Sequence, residues 1–331
     1  MFIFIRSQII PVPMQCRCFT TSQLRFKSGS SNRWLSRQNG DYFTKRAKIE
    51  NFKSRAAFKL LQIDEKFHIF NKSGNHGKPI NVLDLGAAPG AWNQVALERC
   101  PKKSKILGVD ILPYQPPNGA STIQGNILSK GTHKLIKDFY LLNELEKKDP
   151  LFEEIEIIST NSSNEPPLVV EADFSIIDKE IESNKLMKNA ATLDSLNNSI
   201  ETKFPVDVIL SDMYEPILRE HGYSNSTTNN PYIRMANTTG LAFKDHMMSM
   251  DLCDAALITA IDLLKKNGSL VMKFFTGEED SLLENRLKFV FKEVKRFKPK
   301  ACRLESKECY FVCLGKKDYE IDKIELFSKK F

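Results

Sequence analysis

Asn81-Val82-Leu83-Asp84-Leu85-Gly86-Ala87-Ala88-Pro89-Gly90-Ala91-Trp92 is the stretch on which the fold turns. Val82-Leu83-Asp84-Leu85 reads as a β-type run that stops at Gly86, and a helical pattern opens after Pro89-Gly90 and runs to Arg99. A strand feeding a helix through a glycine-bounded turn is the opening unit of a doubly wound α/β sheet. Ligands of such sheets sit beyond the carboxyl ends of the strands. Ala88 stands where the dinucleotide fingerprint has its middle glycine, and no Gly-Lys-Ser/Thr follows, which disfavours NAD and ATP. Taken alone, Gly86-x-x-x-Gly90 is equally well an ordinary tight turn.

Outward from this unit, strands and helices alternate. Upstream, Ala57, Leu60, Leu61, Asp64 and Phe67 fall at helical spacing, with Ser54 in place to cap them. Downstream, strands are expected over 105–111 and 121–126, then a helix-like stretch, then a strand over 206–212. An Asn- and Thr-rich loop covers 224–240. A helix over 244–266 is expected to end at Gly268, followed by a strand over 269–275, a helix near 280–292 and two last strand-like runs. The pattern predicts a doubly wound, mainly parallel sheet.

The polar stretch at about 140–203, which includes Asn161-Ser162-Ser163-Asn164-Glu165-Pro166-Pro167, reads as an acidic, partly disordered insert. Leu168-Val169-Val170 within it is a candidate for pairing with the core. Residues 128–204 hold nine Lys/Arg and fifteen Asp/Glu, so a chain of net charge +7 carries +13 outside this segment. A basic body suits a polyanion such as RNA, or merely a solvated lysine surface.

Arg6, Arg17, Arg25, Lys27, Arg33 and Arg37 precede the first acid, Asp41. With the Ser and Thr around them they read as a mitochondrial transit peptide over about 1–28, followed by a basic arm over 29–53. The domain itself is expected over 54–317, with a C-terminal tail over 318–331. Arg33, Arg37, Lys45, Arg46, Lys48, Lys53 and Arg55, near Trp34, Tyr42, Phe43 and Phe52, are candidate RNA contacts. The seven cysteines show no CxxC or Cys/His spacing, so no metal site is expected. No apolar run is long enough to span a bilayer.

Several polar residues stand at strand ends. Asp110 closes the second strand, where a carboxylate can accept both ribose hydroxyls of an adenosine or simply cap the strand. Asn126 closes the third and can meet an adenine edge, while Asp84 can support the glycine turn or a donor's amino group. Lys59, Asp212, Lys273 and Glu308 each fall where a shared cleft would collect them. Two ammonium groups interleaved with two carboxylates can orient a hydroxyl and stabilise the charge it develops. A charge inside Leu270-Val271-Met272-Lys273-Phe274-Phe275 is costly without partners, so a structural Lys273–Asp212 pair is the plainer alternative. Lys59 taken singly is a solvated helix lysine, and Glu308 an edge-strand charge.

Several linked segments, in order, resemble the FtsJ/RrmJ family of ribosomal RNA 2′-O-ribose methyltransferases. They are Ser54-Arg55-Ala56-Ala57-Phe58-Lys59-Leu60, Asp84 through Trp92, Asp110-Ile111-Leu112-Pro113, Gln124-Gly125-Asn126, Ser211-Asp212-Met213, Val271-Met272-Lys273 and Ser306-Lys307-Glu308-Cys309-Tyr310. The resemblance implies a Rossmann-like class I methyltransferase sheet with an antiparallel terminal strand and S-adenosyl-L-methionine as cofactor. It also implies a Lys-Asp-Lys-Glu tetrad on Lys59, Asp212, Lys273 and Glu308. Cofactor contacts carry over to Gly86, Gly90, Trp92, Asp110, Asn126 and Asp212. With the arginine-rich leader, it implies a mitochondrial matrix member acting on a uridine ribose of large-subunit rRNA. An rRNA-binding assembly factor with dispensable catalysis, or a tRNA or mRNA-cap ribose methyltransferase, are the alternatives. The chain departs from the family in having Asn126 for Asp, and Met213-Tyr214-Glu215-Pro216 for Met-Ala-Pro.

Overall fold

Strand β1 (Asn81–Leu85) is buried along its whole length because parallel neighbours flank it on both sides and helices cover both faces. Those neighbours are β2 (Lys105–Asp110), which continues to β3 (Ala120–Gln124), and β4 (Val206–Ser211). Beyond β4 lie β5 (Leu264–Phe275), β6 (Phe291–Phe297) and β7 (Glu308–Lys316), giving the order β3-β2-β1-β4-β5-β7-β6. β7 inserts between β5 and β6 and runs antiparallel to both. The chain reverses its direction of sheet growth between β1 and β4, the switch point where α/β sheets bind ligands. The computed structural model describes residues 36, 39–70, 77–146, 204–215, 238–318 and 321–329. The elements above and below belong to the unit that starts at Asp41.

Alternation along the strands sorts the core into two layers. Leu83, Leu85, Ile209, Leu270, Met272 and Phe311 pack with α4 (Lys130–Glu146), α5 (Ala242–Leu263), α6 (Asp280–Val290) and α7 (Lys323–Ser328). Val82, Leu210, Val271, Tyr310 and Val312 pack with α1 (Tyr42–Ile49), α2 (Ala57–Phe67) and α3 (Ala91–Arg99). The same period of two assigns Asp84, Asp212, Lys273 and Glu308 to the α1–α3 side, two residues from Val82, Leu210, Val271 and Tyr310. β4 and β5 end there, and antiparallel β7 begins there. One end of one sheet face thus collects all four side chains.

Several boundaries differ from the sequence reading. α5 ends at Leu263, with Leu264 already extended, so Gly268 does not terminate the helix. Lys316 of β7 donates through Nζ to the carbonyls of Ile261 and Leu264 (2.7 and 2.8 Å) and so ends the helix from outside. Gly268 serves the following bulge, where a Cβ would lie 2.6 Å from the Leu264 side chain; pairing shifts register there. Ser54 does not cap α2, whose N-cap is Ala56 without a side-chain bond. β3 stops at Gln124, leaving Asn126 in the turn beyond it.

From Asp41 on, the expected basic arm is part of the fold. Asp41 caps α1 through Thr44 N (2.7 Å) and pairs with Arg55 (2.8 Å). Phe52 is buried and half-buried Phe43 lies beside it, each with its ring 5.5 Å from that of Phe58, so Phe52 is a core residue rather than a stacking platform for RNA bases. Arg55 also reaches the carbonyl of Ala301, so it is a structural cation, while Lys45, Arg46 and Lys48 stay exposed. The expected tail is likewise packed, with Ile321 and Leu326 buried in the core. α4 holds Tyr140 and Leu141 in the interior, so the region expected to be insert from about 140 is helical through Glu146. The leader, Arg33 and Arg37, and the insert from 147 to 203 lie outside the described residues.

Candidate active site

The four charged side chains meet, and a fifth group joins them. Lys59 Nζ contacts Glu308 Oε1 at 2.5 Å and Asp212 Oδ2 at 4.0 Å. Lys273 Nζ lies 3.0 Å from Asp212 Oδ1 and donates to the Asp212 carbonyl at 2.7 Å. Between the carboxylates stands the Tyr310 hydroxyl, 2.9 Å from Asp212 Oδ1 and 2.5 Å from Glu308 Oε1. It has one proton for two acceptors, so it donates to one of them at a time. The chain of contacts runs Lys273–Asp212–Tyr310–Glu308–Lys59.

Lys59, Lys273 and Glu308 are buried, and buried charges persist only when paired and hydrogen-bonded. Burial disfavours the Lys59 ammonium, but Asp212 and Glu308 outweigh it and hold its pKa above the ordinary lysine value. Burial likewise pushes the Glu308 carboxyl up, and Lys59 and Lys273 reverse this, bringing it down to about 2. Burial, reinforced by Asp212 and Glu308, keeps the Tyr310 phenol well above its usual range and therefore protonated. Tyr310 had no role in the sequence reading. Its signal was present, since a residue two beyond Glu308 on a strand shares its face.

The glycine turn abuts this cluster. Gly86 (φ +71) brings Met213 so close that a Cβ would lie 2.9 Å from the Met213 Cα, seating the residue after Asp212 against the turn. Gly90 (φ +101) starts α3, a backbone conformation that side chains disfavour. Asp110 braces the turn, accepting from Ala88 N and Leu112 N, each at 2.9 Å. Burial raises its pKa despite these amides. Asn126 is exposed and its Oδ1 accepts from Leu128 N at 2.9 Å. Trp92 is buried, with its indole N–H on the Ala56 carbonyl (3.0 Å) and its ring 5.9 Å from that of Tyr310. Its side chain ties α3 to the start of α2, which carries Lys59.

Asp84 bears on what the turn holds. It is 1% exposed, and neither carboxylate oxygen has a hydrogen-bond partner among the described residues. Burial, then the charges of Asp212 and Asp110, raise its pKa well above the ordinary value. An orphaned carboxyl is expensive, and a cationic group arriving beside it would relieve that cost. A glycine turn open to close approach, a carboxylate at the end of β2 and an acid lacking a cation fit a positively charged, adenosine-bearing methyl donor.

Sheet order, antiparallel β7 and a donor-type turn at the switch point define a Rossmann-like class I methyltransferase. The chain belongs to the FtsJ-like methyltransferase family, which matches residues 52–316. It is 47% identical over 306 residues to rRNA methyltransferase 2, mitochondrial, of Saccharomyces cerevisiae, covering 92% of this chain and 93% of that protein. The Schizosaccharomyces pombe protein of the same name is 32% identical, covering 86% of this chain and 95% of its own. Ribosomal RNA large subunit methyltransferase E of Rickettsia akari is 30% identical, covering 87% and 90%. Among the described residues no helix is long and apolar enough to cross a membrane.

Proposed function

We propose that this enzyme transfers a methyl group from S-adenosyl-L-methionine to the 2′-oxygen of a ribose, a uridine's, in mitochondrial large-subunit rRNA, within the matrix. The observation that carries this reading is the buried chain Lys273–Asp212–Tyr310–Glu308–Lys59 beside the glycine turn. The mitochondrial and ribosomal RNA names of the relatives supply the substrate class. Gly86, Gly90, Asp110, Asn126 and Asp212, with the backbone of Trp92, would hold the donor, and Asp84 would face its cationic end. When bound, the donor supplies a methyl group already activated by its positive sulfur.

What remains for the protein is to align the oxygen and manage its proton. Alignment lowers such barriers by about 7–11 kcal/mol, more than the roughly 10²–10⁴-fold of a general base. As an ammonium, Lys273 has three N–H donors. Asp212 takes two of them, through its carboxylate and its carbonyl. The third is free to bind the ribose 2′-oxygen and stabilise negative charge there. In this role Lys273 would leave the hydroxyl proton to depart to water as the C–O bond forms and the methyl–sulfur bond breaks, the donor leaving as a neutral thioether. Glu308 and Lys59 fix the far end of the chain and set the field.

Labelled-methyl transfer to large-subunit rRNA tests this directly. Lys273→Ala should lower kcat by about 10²–10³-fold while donor affinity measured by calorimetry stays near wild type. Asp110→Ala should weaken the donor instead. A folded Lys273→Ala protein turning over normally would exclude the assigned role.

A further inference from the structure

β5 outruns its parallel neighbour. Its pairing with β4 ends at Ser211 and Met272, while its pairing with β7 continues to Phe275 and Glu308. Asp212 to Glu215, which follow β4, are not strand. On the β7 side, Thr276 N donates to the Lys307 carbonyl (2.9 Å). Backbone groups alternate between the two edges of a strand, so those of Lys273 and Phe275 face the edge that β4 has left. Both residues are buried, and a buried backbone group needs a partner.

Helix α5 supplies the partners. His246, Ser249 and Cys253 fall at spacings of three and four, on one face of that helix, and all three are buried. The Cys253 thiol donates to the Lys273 carbonyl (3.2 Å). The Ser249 hydroxyl accepts from Phe275 N (3.1 Å) and donates to the His246 carbonyl (2.7 Å). His246 Nε2 accepts from Glu279 N (3.1 Å), which leaves Nδ1–H to donate to the Phe275 carbonyl (2.7 Å). The turn beyond β5 rests on the same ring, since a Cβ on Gly277 would lie 2.4 Å from His246 Cγ. Three side chains of a helix thus replace the missing strand and clamp the end of β5.

We infer that His246, Ser249 and Cys253 are positioning residues for methyl transfer, holding the end of β5 so that Lys273 Nζ meets the reacting oxygen. Their bonds go to the backbone that carries Lys273 and not to its ammonium. Lys273 Nζ is bound twice by Asp212, just past the end of β4. The aim of its third N–H therefore depends on how the end of β5 sits against the end of β4. The ladder between those strands stops short of both residues, and the α5 clamp sets the spacing instead. This rests on the role of Lys273 proposed above and adds what aligns it.

The test measures single-turnover transfer of labelled methyl to a large-subunit rRNA transcript by the full chain, with donor affinity followed by calorimetry. Ser249→Ala and Cys253→Ala together should slow transfer by up to about 10²-fold, the loss that a misplacement of about 1 Å carries. Donor affinity should stay near wild type. Cys253→Ala alone, the milder change, should show the same pattern at smaller size. His246→Leu, which strips the Phe275 carbonyl and Glu279 N of their partner, should slow transfer likewise. Ser249→Thr and Cys253→Ser, which keep a hydroxyl at each place, should transfer at close to the wild-type rate. With Lys273→Ala already present, the alanine pair should slow transfer no further, because residues that act through one group are not additive. A folded alanine pair with the wild-type rate, or the same fold-loss on the Lys273→Ala background, overturns the positioning role and leaves ribose methylation standing. Normal transfer by Lys273→Ala overturns both.

Discussion

Burial removes water from Asp84 without supplying a partner, and with the charges of Asp212 and Asp110 it makes the carboxyl hold its proton to higher pH than an ordinary aspartate does. An unfolded aspartate gives up that proton near pH 4. Above this pH the folded state binds more protons than the unfolded one, so stability falls as pH rises until the folded group ionises. Asp84→Asn removes this dependence. Without donor, the variant should melt above wild type, the gap opening as pH is raised from about 4; equal melting curves across that range would refute the account. With donor, it should bind more weakly. The strand position of Asp84, Lys273 and Asp212 was legible, because a charge in an apolar run stands out. Lys59 and Glu308 were less distinct, since a lysine on a helix and a glutamate at a strand start are ordinary surface charges when taken singly. Their place beside Asp212 and Lys273, and the family resemblance, singled them out. The engagement of Asn126 by Leu128, and the tie from the Trp92 indole to Ala56, depend on turn geometry and tertiary packing that no short motif encodes.

At the scale of elements, the strands over 81–85, 206–211 and 269–275 were readable because central parallel strands are nearly continuous apolar runs. The end of α5 was not. Its last turn is capped by Lys316, more than fifty residues downstream, and Gly268 mimics a helix stop while serving a bulge. Lys316→Met should leave the carbonyls of Ile261 and Leu264 without their Nζ donor and lower unfolding stability by about 1–3 kcal/mol. Urea unfolding would measure it, and the folded fraction should methylate normally because Lys316 is remote from the reacting groups. An unchanged urea midpoint would show that the helix end needs no such cap. α1 and α7 were misjudged as arm and tail for a related reason. Their segments look polar, and the few apolar residues that bury them, Ala47 and Leu326 among them, only acquire meaning against the sheet.

Across the whole molecule, a buried charge cluster ties α2, β4, β5 and β7 together, so site chemistry and fold stability share one pH range. Glu308 ionises at about 2 in the folded protein and near 4.3 unfolded. Its contribution is present above that unfolded value and is lost as pH falls toward 2. Lys59 contributes below its unfolded value of about 10.4 and loses this as pH rises through its raised folded pKa. Glu308→Gln should therefore be less stable than wild type at pH 7, with a flatter acid limb, the two curves converging by about pH 2. Parallel curves would argue that the pair carries no such linkage. This cluster is proposed to methylate a ribose of mitochondrial large-subunit rRNA. The most direct measurement is a map of 2′-O-methylation in that rRNA from cells lacking the protein, complemented with wild type or Lys273→Ala. One methylated ribose should disappear without the protein, return with wild type and stay absent with Lys273→Ala. An unchanged map, or restoration by the variant, would contradict the account.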